Sequence, residues 1–595
     1  MPQTLSAGDR LQLFRAEMAR LGLAAVIVPT SDPHLSEYVP AHWKIREALS
    51  GFTGSAGTLL VTPDAAALLT DSRYWVQAEK QLIDGIELVR LTGRASAAAT
   101  EWLAAHASPG GIVGVNAEFI SLADGRLLES TLMLNGLRLR TESPDIAAFW
   151  PDRPAMPASP VAEMKRPGRS RAEKLAAVRE ELGREKADAA LLNSLDDIAW
   201  LTGLRGADVP CNPVFLSTLL VGPDRAALFI DTRRVGAAVT ERLAADGVMV
   251  LPPEKLAETV GLAIEHGRRI LLDPEHTNAA LAKLVPPASR VEAVSPVFTL
   301  KAVKSAGELE AIDEAMIRDA VALAEFYAEL DERLSAGEKL TEADAARMLH
   351  ASRAKDPEFF DESFTTIAAF GPNAALPHYT PPAEGGAVIE GDGLLLIDSG
   401  AQFTCGTTDI TRMTPVGTPS AEMKHDVTLV TRGMLRLLGL RFPKGYTGSQ
   451  IDAVARMDLW AEGRDYGHGT GHGVGYVLNV HEDPVRISPM ATKTPLAAGN
   501  VVSDEPGLYR PGAWGVRVEN LMVCEKAETT EFGEFLKFRA LTMMPIDTRA
   551  LEEPFGALAD QLNRFNDERL ERLLPLVSER CRRWLERAVK PVSRD

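Results

Sequence analysis

Residues 393–412 have the sequence GLLLIDSGAQFTCGTTDITR, which places two carboxylates in a setting that otherwise predicts buried strands. Asp398 ends an apolar run, and Asp409 follows eleven residues later, beyond a turn that contains glycine. A hairpin of that length would bring both aspartates to one face of adjacent strands. Because an unpaired buried carboxylate is costly, the pattern indicates a partner for the pair, although either aspartate alone is equally consistent with a turn or a cap.

Two glutamates further along the chain have the same kind of placement. Glu505 follows two valines in NVVSDEPGLY (500–509), and Glu519 lies in the alternating pattern of WGVRVENLMVC (514–524). A glutamate in strand-like sequence usually faces solvent, and each of these alone fits that explanation. Four such acids together favour a shared cause. Hard divalent cations prefer carboxylate oxygens, and two of them would balance four carboxylates.

The segment YGHGTGHGVGYVLNVHEDP (466–484) concentrates three histidines and five glycines in nineteen positions. Each glycine disfavours a helix by about 1 kcal/mol relative to alanine, so a loop is predicted. The spacing of His468 and His472 is that of a helical zinc pair, but the glutamate of HExxH is absent. A dinucleotide loop is excluded because the glycines do not fall as GxGxxG. One imidazole would complete a metal site, while an ordinary loop histidine stays open for His468.

The N-terminal half contains an internal repeat. Residues 58–73 (TLLVTPDAAALLTDSR) and 218–233 (TLLVGPDRAALFIDTR) share 11 of 16 positions at a constant offset of 160. Each copy predicts a strand, a Pro-Asp turn, a second strand and an aspartate near a helix start. The upstream runs AAVIVP and DAALLNS predict another pair of buried strands. Two related α/β domains in tandem explain this better than a coincidence between hairpins.

Other patterns suggest where these domains end. The proline-rich segment 150–169 is predicted to be a linker. Ser305 and Glu308 form the pattern of a capping box at the start of a long helix. After residue 545 the pattern is amphipathic helix, to which we assign no chemistry. The predicted divisions are an α/β domain (1–155), a related α/β domain (156–303), a catalytic domain (304–545) and a C-terminal helical extension (546–595).

The composition excludes several classes of protein. The four cysteines show no CxxC spacing, which argues against zinc knuckles and a disulfide framework and is typical of a reducing compartment. The net charge of −18 and the lack of a basic run argue against nucleic acid or an anionic membrane as a partner. No apolar window is long enough for a membrane span, and no signal-peptide pattern is present. We therefore expect a cytoplasmic protein.

The motifs resemble, in order and spacing, the signatures of the pita-bread (M24) metallopeptidases. LIDSGAQFTCGTTDITR, HGTGHGVGYVLNVHEDP, VVSDEPGLY and GVRVEN carry this likeness. It is greatest to the Xaa-Pro aminopeptidase (aminopeptidase P) family in its three-domain form, which GFTGSAGTLLVT, TDSRYWVQAE, LDDIAWLTGLRGADVPCNPVF and FLKFRALTMMPIDT also resemble. The resemblance implies an α/β (α+β) fold with two tandem creatinase-like domains, a pita-bread catalytic domain and the helical extension. It also suggests a homodimer.

The same resemblance implies the site residues. Two divalent metal ions, manganese with cobalt or zinc as alternatives, would be bound by Asp398, Asp409, His472, Glu505 and Glu519. Asp409 and Glu519 would bridge the pair. Substrate contacts are implied for His378, His468, His481, Tyr509, Arg73 and Arg517. Arg517 would also orient the acidic groups, whereas Arg73 has a twin in the repeat, Arg233, which shows that a structural role is available to it.

The expected reaction is release of the first residue from peptides with proline in second position. Two metals about 3.5 Å apart can lower the pKa of a bridging water and deliver hydroxide at neutral pH. Glu505 would carry the proton of that water to the leaving nitrogen. His481 and His378 would stabilise the oxyanion. The specificity for proline is implied by the resemblance alone.

Other functions stay open at this point. A prolidase has the same fold but is restricted to dipeptides, and the duplicated N-terminal half favours the aminopeptidase. Methionine aminopeptidases usually lack the two preceding domains. A module that only binds peptides would typically have lost metal ligands, and a creatinase-like enzyme would bind no metal.

Overall fold

The structure is a computed structural model that describes residues 5–93 and 95–595. The chain forms two compact units. The first comprises the described residues of Met1–Glu163 together with Ser170–Val297, and the second comprises Met164–Arg169 with Phe298–Asp595. Among the described residues, every helix is too short or too polar to traverse a lipid bilayer.

The first sheet of the N-terminal unit has six strands in the order β4-β3-β2-β1-β5-β6. Its strands are β1 (Ala25–Pro29), β2 (Thr58–Val61), β3 (Ala66–Thr70), β4 (Glu87–Arg90), β5 (Ile112–Val115) and β6 (Arg138–Arg140). The accompanying helices are α1 (Ala7–Leu21), α2 (Ile45–Ser50), α3 (Trp75–Gln81), α4 (Ala95–His106), α5 (Leu122–Leu134) and α6 (Ile146–Phe149). Helix α1 begins at a capping box on Ser6, and its apolar face packs with β1 and β2 in one core.

The second sheet repeats the first, in the order β12-β11-β10-β8-β13-β14. The strands of this part are β7 (Ala162–Glu163), β8 (Ala189–Leu192), β9 (Leu204–Arg205), β10 (Thr218–Val221), β11 (Ala226–Phe229), β12 (Val248–Leu251), β13 (Ile270–Leu272) and β14 (Arg290–Glu292). Its helices are α7 (Arg171–Arg184), α8 (Leu195–Thr202), α9 (Ala237–Ala245), α10 (Leu256–Glu265) and α11 (Ala279–Ala282). Hairpins β2–β3 and β10–β11 have the same register. The predicted duplication is confirmed.

The proline-rich segment between the two sheets is less uniform than a plain linker. Strand β7 lies within it and pairs antiparallel with β9. The six residues that follow, 164–169, belong to the C-terminal unit. Helix α12 (Pro296–Ala302) then leads along the chain into that unit.

The C-terminal unit is built from helices and antiparallel strands. Its helices are α13 (Ala306–Ser335), α14 (Glu342–Arg353), α15 (Ala421–Leu438), α16 (Gly448–Ala461), α17 (Ala559–Leu573) and α18 (Glu579–Ala588). Its strands are β15 (Phe359–Glu362), β16 (Ile367–Phe370), β17 (Gly393–Ser399), β18 (Ala401–Phe403), β19 (Gly406–Thr407), β20 (Ile410–Val416), β21 (Arg441–Pro443), β22 (Gly471–Gly473), β23 (Glu482–Ile487), β24 (Val501–Asp504), β25 (Gly507–Arg510), β26 (Trp514–Arg517), β27 (Asn520–Thr530) and β28 (Gly533–Ala540).

Two sheets of this unit are important for the site. The smaller has the order β16-β17-β20, and β17 is buried along its whole length. The larger has the order β21-β28-β27-β24-β22-β23. Helix α13 begins at the predicted capping box of Ser305 and Glu308, and its buried face packs in one core with apolar residues of β17 and β27.

The C-terminal helices are part of the core of this unit. The ring of Trp584 on α18 stacks on Tyr327 of α13, with centroids 5.6 Å apart. Leu573, Cys581 and Leu585 are almost completely buried in the same cluster. The amphipathic pattern also predicts a charged face on these helices. Arg580 pairs with Glu325 of α13 at 3.2 Å.

Candidate metal centre

Five of the predicted site residues lie close together, on or beside strands of the smaller and the larger sheet of the C-terminal unit. They are Asp398, Asp409, His472, Glu505 and Glu519. The Nε2 atom of His472 is 3.4 Å from Asp409 Oδ2 and 3.5 Å from Glu505 Oε1. One ligand atom each from Asp409, His472 and Glu519 lie within 4.8 Å of one another. Asp398 joins them from β17, close enough to Asp409 for the two charges to interact.

The hairpin formed by β17 and β20 brings the two aspartates together. Asp398 pairs across the strands with Thr411. Since side chains two residues apart share a face of a strand, Asp409, just before β20, projects to the same side as Asp398. The Thr411 hydroxyl donates to Glu519 Oε2 at 2.8 Å. Three acids therefore share one face of this hairpin or contact it directly.

The glycine-rich segment forms no helix, in agreement with its predicted loop character. Strand β22 lies between β23 and β24, and its glycines allow the strands to approach closely. A Cβ atom on Gly471 would lie 2.0 Å from the carbonyl oxygen of Ser503, and one on Gly473 would lie 2.2 Å from that of Glu482. Neither glycine is required by an unusual φ angle, so close packing accounts for both.

Hydrogen bonds fix the orientation of His472. Its Nδ1 lies 2.9 Å from the carbonyl oxygen of Gly473, which can only accept, so Nδ1 carries the proton. Its backbone N–H donates to Ser503 Oγ at 2.9 Å, and that hydroxyl donates to Glu505 Oε1 at 3.2 Å. Nε2 is the ring atom that faces the carboxylates, which is the usual arrangement behind a ligating histidine.

Glu519 lies at a break between two strands. Strand β26 ends at Arg517 and β27 begins at Asn520, so the continuous alternation of the sequence does not correspond to one strand. The backbone N–H of Glu519 donates to the Thr411 carbonyl at 3.1 Å, and its own carbonyl accepts from Arg412. These bonds hold the 1% exposed side chain against the hairpin.

Asp398, Glu505 and Glu519 hold protons more tightly than isolated carboxyl groups. Burial, with the charge of Asp409 adding to it, raises the pKa of Asp398 and raises that of Glu519 strongly. Burial also raises the pKa of Glu505 to about 7. Burial alone would lower the pKa of His472, but the hydrogen bond to Asp409 and the charge of Glu505 raise it to about 9.

The residues present fit a pair of divalent cations. Asp398 Oδ1 and Glu519 Oε1 are buried oxygens that accept no hydrogen bond from the part of the chain that the structure describes. An unsatisfied buried acceptor costs about 1–3 kcal/mol, which a coordinated cation would remove. Carboxylates with one imidazole suit manganese, cobalt or zinc. The five side chains would hold two such ions between them.

A chain of hydrogen bonds leads from the cluster to the predicted substrate side. Arg517 contacts Asp398 through Nη2 and, at 3.1 Å, through Nε. Its Nη1 donates to the Tyr509 hydroxyl at 2.8 Å, which is 2.8 Å from His468 Nε2. Arg517 thus contacts an acid of the cluster directly, while Tyr509 and His468 form the outer end of the chain.

The other predicted substrate residues have different surroundings. The ring of His481 meets that of His472 edge to face, with centroids 4.4 Å apart. His378 is half-buried on a turn beside Tyr379, whose hydroxyl donates to Glu342 at 2.7 Å. Arg73 lies in the N-terminal unit and forms a two-bond ion pair with Asp71.

The twin of Arg73 makes the same interaction. Arg233 donates to Asp231 through Nε and Nη2, as Arg73 does to Asp71. In both copies the aspartate also accepts the backbone N–H of the arginine two residues later. Both arginines therefore have the structural role that the repeat suggested, because each forms an ion pair with the aspartate two residues before it.

Sequence reasoning missed two buried ion pairs behind the cluster. Asp319 of α13 pairs with Arg353 of α14 at 2.8 Å, and Asp452 pairs with Arg456 on α16 at 2.6 Å. Arg456 also donates to the carbonyl of His468 at 2.8 Å. One sequence signal could have indicated such a pair: Asp319 is a charged residue on an otherwise apolar face of its helix.

The raised pKa values predict that the metal-free protein becomes less stable as the pH rises. Folding moves the pKa of Glu505 from about 4.3 to about 7, and that of His472 from about 6.5 to about 9. Between the unfolded and the folded pKa of each group, the folded state binds more protons than the unfolded state. The free energy of unfolding therefore falls as the pH rises through each of these two ranges. Thermal unfolding with a chelator should give a higher Tm near about pH 5 than near about pH 9. A Tm that is constant or rises over this range would contradict the assignment.

Comparison with known proteins extends the likeness over the whole chain. The family model described as Metallopeptidase family M24 matches residues 310–526. Two further family models, both described as Creatinase/Prolidase N-terminal domain, match residues 10–141 and 152–308. A Chaetomium globosum protein named Probable Xaa-Pro aminopeptidase P is 38% identical, covering 99% of this chain and 100% of its own length.

Solved structures give the same picture. An X-prolyl aminopeptidase from Caenorhabditis elegans, described as a cytosolic enzyme with a di-nuclear active site, is 31% identical with a TM-score of 0.93. The match covers 99% of this chain and 100% of that one. An Xaa-Pro dipeptidase from Bacillus anthracis shares the fold over 64% of this chain and 99% of its own, with 24% identity and a TM-score of 0.51.

Proposed function

Because the chain belongs to the Xaa-Pro aminopeptidase P family of M24 metallopeptidases, we propose that it removes the first residue from peptides with proline in second position. The observation that carries this proposal is the cluster of four carboxylates and one imidazole with two buried oxygens that lack a donor. Ionised carboxylates buried together in this way are costly, and bound cations remove that cost at neutral pH. The likeness to the nematode enzyme along the full chain supports a di-nuclear site here as well.

Two divalent cations held by Asp398, Asp409, His472, Glu505 and Glu519 would lower the pKa of water and supply hydroxide at neutral pH. The Glu505 carboxylate takes the proton and delivers it to the leaving proline nitrogen. Its side chain is 19% exposed and so reaches the substrate side, unlike the fully buried Glu519.

The histidines and the hydrogen-bonded chain orient the substrate in this proposal. His481, beside His472, and His378 donate to the oxyanion that forms when the carbonyl is attacked. Tyr509 connects His468 to Arg517, so the position of that ring depends on the same guanidinium that holds Asp398. Asp71 already pairs with the guanidinium of Arg73, so a substrate contact by Arg73 would compete with that ion pair.

The remaining parts of the proposal concern the state of the protein in the cell. We propose manganese as the native metal, a homodimer and a cytoplasmic location. The description of the nematode relative as a cytosolic enzyme supports the location. The domain divisions at 155, 303 and 545 belong to the proposal too. Two creatinase-type matches followed by one M24 match support the number and order of the first three domains.

Substrate length tests the proposal against its nearest alternative, a prolidase. With manganese present, we expect kcat/KM for an Xaa-Pro-Pro tripeptide to exceed that for the matching Xaa-Pro dipeptide by about tenfold or more, a difference of about 1.4 kcal/mol. A chelator should abolish both activities, and added manganese should restore them. Liquid chromatography of the released amino acid measures both rates. A preference for the dipeptide would identify a prolidase, and undiminished turnover in chelator would contradict the metallopeptidase.

A further inference from the structure

The buried ion pair between Asp319 and Arg353 lies behind the hairpin that carries two of the proposed metal ligands. Arg353 is 0% exposed and Asp319 is 3% exposed. They meet through two hydrogen bonds, 2.8 Å from Nε to Oδ1 and 3.3 Å from Nη2 to Oδ2. A buried ion pair often stabilises a fold no better than apolar residues of similar volume. Stability by itself is therefore a poor account of this pair.

The remaining hydrogen bonds of the pair are made to neighbours of the ligands. Arg353 Nη2 donates to Ser399 Oγ at 3.0 Å, and Nη1 donates to the carbonyl of Gly400 at 3.1 Å. Thr408 Oγ1 donates to Asp319 Oδ2 at 2.7 Å. Ser399 directly follows Asp398 in the chain, and Thr408 directly precedes Asp409. The ion pair thus connects both sides of the hairpin, each one residue away from a ligand.

The segment between the two aspartates is packed tightly around this contact. A Cβ atom on Gly400 would lie 2.0 Å from Ser363 Oγ and 2.1 Å from the Thr408 carbonyl oxygen. The Thr408 hydroxyl also accepts the backbone N–H of Ala401 at 2.9 Å. Few alternative positions are therefore open to the backbone that carries the ligands.

We propose that Asp319 and Arg353 are positioning residues, which hold Asp398 and Asp409 at ligand spacing before a metal ion binds. The inference rests on the metal site of the proposed function. Without a cation the carboxylates repel one another, because burial brings like charges together in a medium that screens them poorly. The ion pair opposes that repulsion through the backbone and so reduces the reorganisation that accompanies metal binding. Substitution of a residue that supports a metal ligand typically lowers metal affinity about 10–100-fold.

Substitution of Thr408 tests the connection without removing either charge. Thr408→Val deletes the hydroxyl that reaches Asp319, whereas Thr408→Ser keeps it. Thr431→Val is a matched control, since Thr431 is equally buried and its hydroxyl donates to Val427 within α15 at 2.7 Å. Isothermal titration of chelator-treated protein with Mn²⁺ measures the affinity, and thermal unfolding of the same metal-free samples measures stability.

We expect Thr408→Val to weaken Mn²⁺ binding about 10–100-fold, with a metal-free Tm close to that of Thr431→Val. Thr408→Ser should bind like the wild type. Unchanged affinity in Thr408→Val, or an equal loss in Thr431→Val, would overturn the inference. If Thr408→Val does not fold, Ser399→Ala decides, since it removes only the hydrogen bond from Arg353, and wild-type affinity there would also overturn it. A wild-type protein that binds no Mn²⁺ would instead refute the proposed function.

Discussion

Replacing Glu505 by alanine should lower kcat/KM for an Xaa-Pro-Pro tripeptide by at least about four orders of magnitude. The change removes a proposed metal ligand and the proposed proton carrier together, and a positioned acid–base group alone contributes about 10²–10⁴ in rate. The Glu505 carboxylate lies 3.5 Å from His472 Nε2, and its side chain is 19% exposed. Steady-state kinetics at saturating Mn²⁺ measures the loss.

A second substitution at this position separates the two roles. Glu505→Gln keeps one oxygen for a cation but cannot carry a proton, so we expect it to retain more Mn²⁺ than Glu505→Ala while remaining nearly inactive. Glu528→Ala is a suitable control, because Glu528 is an exposed residue that pairs with Arg441 at 3.0 Å. Activity of Glu505→Ala within about tenfold of the wild type, a change of about 1.4 kcal/mol in the barrier, would refute the assigned role.

Glu519→Gln should change activity and stability in opposite directions. We expect kcat/KM to fall by at least about a thousandfold, since a metal-bound transition state gains several kcal/mol and each 1.36 kcal/mol is a factor of about ten. The metal-free protein should become more stable near about pH 8, because burial raises the pKa of Glu519 strongly. Folding at that pH then requires either a buried charge or the uptake of a proton, and glutamine avoids both costs. The amide would also offer donors to the neighbouring carboxylates.

Thermal unfolding in the presence of a chelator measures this gain in Tm. The difference between variant and wild type should shrink towards about pH 5, because the unfolded glutamate then approaches its own pKa of about 4.3 and folding takes up less of a proton. Glu528, an exposed residue that pairs with Arg441 at 3.0 Å, provides a comparison outside the cluster through Glu528→Gln, which makes the same chemical change. A metal-free Glu519→Gln protein that melts below the wild type at both pH values would contradict the argument.

The parts of the fold that depend on local pattern could be predicted from the sequence. The repeat at 58–73 and 218–233 corresponds to two hairpins of the same register in sheets of the same strand order. The capping box at Ser305 starts α13, and the apolar run before Asp398 is a fully buried strand. Strand period, capping and turn chemistry act over a few residues, so a single sequence contains them completely.

Features that depend on distant contacts could not be predicted in this way. The alternation around Glu519 predicted one strand, but the chain breaks there because its backbone bonds to Thr411, more than a hundred positions away. The C-terminal helices were predicted as helices, yet their packing against α13 had no local signal. The pairing of Asp319 with Arg353 likewise joins two helices through residues 34 positions apart.

The sequence by itself determined the class of the protein. The order of acids and histidines in four short motifs, with a duplicated N-terminal half, was enough to identify the family and to name five candidate ligands, because residue type and spacing are local properties. Only the tertiary structure decided which atoms face one another. The Nδ1 proton of His472, the two carboxylate oxygens without a donor and the ion pair behind the hairpin all arise where separate strands and helices meet. Burial there sets the charge and geometry of each group, and burial is a property of the folded chain.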